Sequence, residues 1–95
     1  MRDLMKDARY ILLVGGWEKT EDTEKKIVAR HEKYPGFELV VEHTPPMVKV
    51  SSLENGNPAF FGEYAMDLTT LRAAFRYHRE AIATQVEHTE DETWT

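Results

Sequence analysis

The chain contains no cysteine, which removes disulfide frameworks, thiolate nucleophiles and cysteine-built metal cages together. Long apolar runs are missing as well: Tyr10-Ile11-Leu12-Leu13-Val14 falls far short of the roughly 20 residues a bilayer-crossing helix needs. The opening MRDLMKDARYILLVGG places Asp3 and Asp7 where an export signal carries basic residues, and it lacks a small-residue cleavage site. A cytoplasmic location without membrane contact is therefore expected. Mechanism-bearing motifs such as GxSxG, HExxH, GxGxxG and GxxxxGK[ST] do not occur. His31, His43, His78 and His88 are scattered, with none paired at i, i+4, so no metal or other cofactor is expected. A chain of 95 residues buries roughly 60 to 70 per cent of its unfolded surface, enough for one modest core but seldom for an enclosed active site too. These absences argue against an enzyme.

What charge there is lies unevenly. The net charge is −5, with eight Lys/Arg against seven Asp/Glu in residues 1–34, then only Lys49 against Glu38, Glu42, Glu54 and Glu63 in 35–66. Residues 67–86 return to +1, and EHTEDETWT adds Glu87, Glu90, Asp91 and Glu92 without a counter-charge. A body so close to neutral disfavours nucleic acid as a partner, since that binding depends on neutralising several phosphates.

The clearest periodic stretch is 66–87, where Leu68, Leu71, Phe75, His78, Ile82 and Val86 recur at helical spacing. Asp67 is placed to open that helix. Two readings of 2–14 compete: an amphipathic helix on Leu4, Met5, Ala8, Ile11 and Leu12, with Gly15 as its left-handed stop, or a short buried strand over Tyr10–Val14. The helix is favoured. Thr20–Tyr34 reads as a second helix, acidic in its first turn and stopped by Pro35-Gly36, though its buried face of Ile27, Val28, His31 and Tyr34 is thin. Phe37–His43 and Met47–Ser51 read as strands, with Pro45-Pro46 arguing against a tight turn between them. Glu54-Asn55-Gly56-Asn57 is a strong hairpin signal, leading to a third strand, Ala59–Tyr64, with a bulge or close approach at Gly62. The expected fold is α+β: a three-stranded antiparallel meander packed by a long C-terminal helix, with one or two N-terminal helices. Residues 1–87 form its single domain, and 88–95 an acidic, disordered tail.

Arg72, Arg76 and Arg79 share the face of the last helix opposite its apolar stripe, and with Tyr77 they form the sharpest candidate site. Guanidinium forks pair with carboxylates and phosphates, and Arg and Tyr are enriched where proteins bind one another. The plainer alternative is a solvated face with Arg76 paired to Glu80. Trp94 is a second candidate, because an aromatic closing an acidic segment suits docking on a basic, apolar-pocketed partner. Trp17, Phe60, Phe61 and Tyr64 are more aromatics than one small sheet face needs, and Phe60 and Phe61 must face opposite ways. A homodimer contact is one way to cover the surplus.

The expectation is a non-enzymatic protein-binding module, an adaptor or inhibitor acting through its surface on another protein, including one with a basic, nucleic-acid-handling surface. Small phage-encoded viral antagonists offer an analogy for that design and no family resemblance. The alternative is a direct anion or nucleic-acid binder using the arginine face, with the N-terminal helices as a helix-turn-helix and the Pro-Pro hairpin as a wing.

Overall fold

The computed structural model describes residues 3–92. Its first element is the helix α1 (Leu4–Val14). Asp3 caps it, its carboxylate accepting from the Lys6 amide at 3.1 Å. At the other end the Trp17 amide donates to the Leu12 carbonyl at 2.9 Å and the Gly16 amide to that of Leu13 at 3.2 Å, the paired closure of a Schellman stop. The left-handed residue is Gly16, with φ at 81°, while Gly15 stays right-handed. The expected stop is thus displaced by one residue. Leu4, Met5, Ala8 and Leu12 are buried, whereas Tyr10, Leu13 and Val14 lie exposed.

Thr20–Tyr34 does not form the expected second helix. It holds the strands β1 (Glu18–Asp22) and β2 (Lys26–Arg30), paired antiparallel. Thr23 organises their turn: its hydroxyl accepts from the Lys25 and Lys26 amides at 3.3 and 3.0 Å, and its own amide donates to the Lys26 carbonyl at 2.8 Å. Such side-chain bonds compete directly with a helical turn. Period two then places Ile27 and Ala29 in the core with none of their surface exposed, a better burial than the thin helical stripe offered. Every residue of β1 is exposed.

The sheet continues through β3 (Phe37–Thr44), β4 (Met47–Glu54) and β5 (Asn57–Ala65), giving five antiparallel strands in sequence order where three were expected. The α+β class stands. Thr44 pairs with Met47, so Pro45-Pro46 makes the tight two-residue connection that the sequence argued against; the bond between the prolines is cis, the isomer that a type VI turn accommodates. Asn55 and Gly56 have φ of 51° and 86°, the primed hairpin turn anticipated from Asn-Gly. The β4–β5 register shifts between Val50 and Leu53, the bulge anticipated at Gly62; what a Cβ there would meet is the Lys49 side chain, not another backbone.

One sheet face carries Ile27, Ala29, Leu39, Val41, Val48, Val50 and Ala65 in a single apolar core. Against it α1 packs near β1 and β3, and α2 (Leu68–Glu92) near β4 and β5. On the other face Lys26, Glu42 and Lys49 stand in cross-strand register, as do Arg30 and Glu38. These opposite charges in register flank a small apolar centre on that face, where Val28 pairs with Val40 and Val40 is buried. Charged β1 at one edge and the Pro58 and Gly62 interruptions of β5 at the other blunt both edges against strand addition.

Asp67 opens α2 through a reciprocal box: the Thr70 amide donates to its carboxylate at 2.8 Å and the Asp67 amide donates to the Thr70 hydroxyl at 3.1 Å. The Thr70 amide, and then the Thr70 hydroxyl donating to the same carboxylate at 2.8 Å, hold the Asp67 carboxyl below its ordinary value. Leu71, Ala74, Phe75, His78 and Ile82 are buried and Val86 half-buried. The helix does not end at Glu87 but runs through Glu92, so residues 88–92, expected as disordered tail, continue it. Among the described residues no helix is long and apolar enough to cross a membrane.

Candidate functional site

Between the end of α1 and the first half of α2 lies a cleft of about 230 Å³. Arg72, Arg76 and Arg79 form one wall, Ile11, Leu12 and Gly15 the other, and Trp17, Leu39 and Phe75 supply apolar surface between them. Helical period explains the arginine wall, because i, i+4 and i+7 project on one side of α2 while Leu71, Phe75 and His78 turn to the sheet. The side chain at Trp17 is pinned by neighbours: its ring lies 5.1 Å from that of His31 and 5.9 Å from that of Tyr34. His31 is itself fixed, with Nε2 donating to the Gly15 carbonyl at 3.1 Å and Nδ1 accepting from the Lys33 amide at 3.1 Å. Both ring nitrogens are occupied by backbone, so His31 serves as a strut under the cleft.

Among the described residues no carboxylate lines the cleft. Among the described residues none of Arg72, Arg76 and Arg79 forms an ion pair, the expected Arg76–Glu80 pair included. Arg9 shows the contrast. Its guanidinium meets the Asp22 carboxylate at 2.8 Å and the Thr23 carbonyl at 2.9 Å, and Lys19 reaches Asp22 at 2.7 Å. The bonds from Lys19 and then Arg9 hold the Asp22 carboxyl below its ordinary value. The cleft arginines have no ion-pair partner among the described residues, and guanidinium forks are groups that can pair with planar oxyanions.

No protein-family model, curated protein or solved structure matches this chain. What the cleft can bind is therefore read from its own chemistry.

The sequence-derived candidates divide. Arg72, Arg76 and Arg79 come together in the cleft, whereas Tyr77 lies elsewhere, lining a shallow hollow of about 370 Å³ with Pro58, Ala59, Phe60 and Phe61. Phe60 is half-buried, its ring 6.4 Å from that of Phe37, and Phe61 is 88% exposed, though both rings line this one hollow. Trp94 lies outside the described residues. Trp17, first counted among surplus surface aromatics, is buried; its place next to the arginines depends on the sheet bringing residues 17 and 39 under α2, which no local pattern announces.

One polar pair escaped the sequence reading. Ser52 Oγ and His78 Nδ1 lie 2.5 Å apart, at 1% and 0% exposure. A serine beside a histidine invites a nucleophile reading, but this pair is sealed between β4 and α2 and lines none of the clefts described above. Its role is to hold α2 to the sheet. Among the described residues His78 Nε2 has no hydrogen-bond partner, and burial pushes the ring's pKa down, opposed by the Glu63 charge and the Val50 carbonyl. No group of three or more His, Asp or Glu able to hold a metal occurs among the described residues.

Proposed function

We propose that the protein is a non-enzymatic protein-binding module whose arginine cleft accepts an acidic segment of a protein chain, anchored by an apolar side chain beside Trp17, Leu39 and Phe75. The observation carrying this reading is the absence of any ion pair to Arg72, Arg76 and Arg79 among the described residues, in a cleft whose remaining lining is largely apolar. Exposed charge pairs contribute only about 0.2–1 kcal/mol each. The apolar anchor supplies a further ~1.5–3 kcal/mol on burial, so the gross gain stays at about 6 kcal/mol or less and the affinity, once association entropy is subtracted, is millimolar or weaker. By occupying a surface in this way the module acts as an adaptor or inhibitor.

Direct nucleic-acid binding receives less support. The helix-turn-helix invoked for it lacks its second helix, because Thr20–Tyr34 holds β1 and β2, and three arginines engage few phosphates for a chain of net charge −5. Titration separates the readings, using a short fluorescent peptide of Glu and Asp around one Trp, and an oligothymidylate of similar length. The peptide is expected to bind in the millimolar range, weaken with added salt, and lose about threefold or more in Arg72→Ala/Arg76→Ala/Arg79→Ala. Tighter binding of the oligonucleotide would favour the alternative, and indifference to both would reduce the arginines to a solvated face.

A further inference from the structure

The face of α2 that carries the arginines does not end with them. At 100° per residue, positions 72, 76, 79, 83, 87 and 90 fall on one side of the helix, and the sequence reads Arg, Arg, Arg, Ala, Glu, Glu along it. Basic in one half, acidic in the other and small at the midpoint, this stripe is complementary to itself when reversed. A two-fold axis through Ala83 sets Arg79 of each copy against Glu87 of the other, and Arg76 against the position of Glu90. Both copies make both pairings, as an isologous contact requires.

From this we infer that the occupant of the arginine cleft is the acidic end of α2 from a second copy of the chain. The inference rests on the acidic-segment reading above and names the segment. One copy cannot satisfy itself. Along a continuous helix Glu87 stands about 12 Å from Arg79, eight residues at 1.5 Å each, well beyond ion-pair reach, and α2 is continuous through both. Val86 is the last described side chain of α2 that packs on the core, and Glu87, which follows it, is exposed. The molecule measures 52 × 23 × 22 Å, elongated as an overhanging helix makes it. Ala83, with only a methyl group, lets two helices cross at the 8–10 Å spacing of close packing.

Charge reversal tests the register without removing bulk. Arg76→Glu/Arg79→Glu makes the whole stripe beyond Arg72 acidic, Glu87→Arg/Glu90→Arg makes it basic, and each faces like charge in its own dimer. Sedimentation equilibrium on the full chain at low salt is expected to give twice the 11.0 kDa chain mass for the wild type, a single chain mass for each reversed variant, and a return to the doubled mass when the two variants are mixed in equal amounts. A wild-type dimer that survives both reversals, or a mixture that fails to restore it, would overturn the pairing. A wild-type protein that stays monomeric would overturn it too; if that monomer still binds the acidic peptide through its arginines, the acidic-segment reading stands alone, and if it does not, both readings fall.

Discussion

Lowering the pH from about 7.5 to about 5.5 should weaken the fold through one side chain, His78. Its ring is fully buried between α2 and β4, and burial is the main cause holding its pKa below the free value of 6.5. A group with a depressed folded pKa is protonated in the unfolded chain before it is protonated in the native one. In the interval below 6.5 and above the folded value, the unfolded state therefore binds the extra proton, and stability falls as pH falls. For a ring that stays neutral in the fold, one such group contributes at most about 1.4 kcal/mol per pH unit, and about that much over the whole two-unit drop. Glu63 and the Val50 carbonyl favour the charged form, so the measured loss should fall below that ceiling. Urea unfolding followed by circular dichroism at intervals of half a pH unit gives the slope. The control is Ser52→Ala/His78→Leu, which removes both polar partners and should flatten the dependence in this window. Ser52→Ala alone leaves His78 Nδ1 without its partner and should cost about 1–3 kcal/mol. A wild-type stability indifferent to pH between 5.5 and 7.5, or a double variant with the same slope, would refute this account of the pair.

Two further outcomes follow from the packing. Ile82 has none of its surface exposed at the junction of α2 with the core, and Ile82→Ala should lower unfolding stability by about 2–5 kcal/mol in the same urea assay. Gly16 holds φ at 81°, and an added Cβ would sit 3.2 Å from His31 Nε2; Gly16→Ala should cost about 1–2 kcal/mol from the left-handed backbone alone, read as a lower melting temperature.

Much of this architecture is legible wherever burial imposes a period. Leu71, Phe75, His78 and Ile82 declare α2, Asn55-Gly56 declares its hairpin, and the tension between Gly62 and its strand declares a bulge. The first hairpin was hidden for a physical reason. Glu18-Lys19-Thr20-Glu21-Asp22 is an edge strand with no buried residue, so nothing in it alternates between apolar and polar, and its acids imitate the first turn of a helix. Only pairing with Ile27–Arg30 makes it a strand, and that pairing depends on the sheet beyond. The prolines mislead for a different reason: a tandem Pro45-Pro46 argues against a tight turn as long as both peptide bonds are taken as trans, whereas the cis bond between them forms the reversal. At the site, the arginine wall could be read from α2 alone. Its apolar lining could not, because Trp17 and Leu39 reach it through α1's stop and the third strand.

The central claim is that an acidic chain segment sits between α1 and α2. Amide chemical-shift mapping of the isotope-labelled protein with the acidic, Trp-containing peptide tests it most directly. The account predicts shifts confined to Gly15, Gly16, Leu39 and residues 72–79, with the Trp17 indole among them, and their loss in the triple arginine variant. Shifts centred instead on Lys26, Lys49 and the open sheet face, or a spectrum that the peptide leaves unchanged, would contradict it.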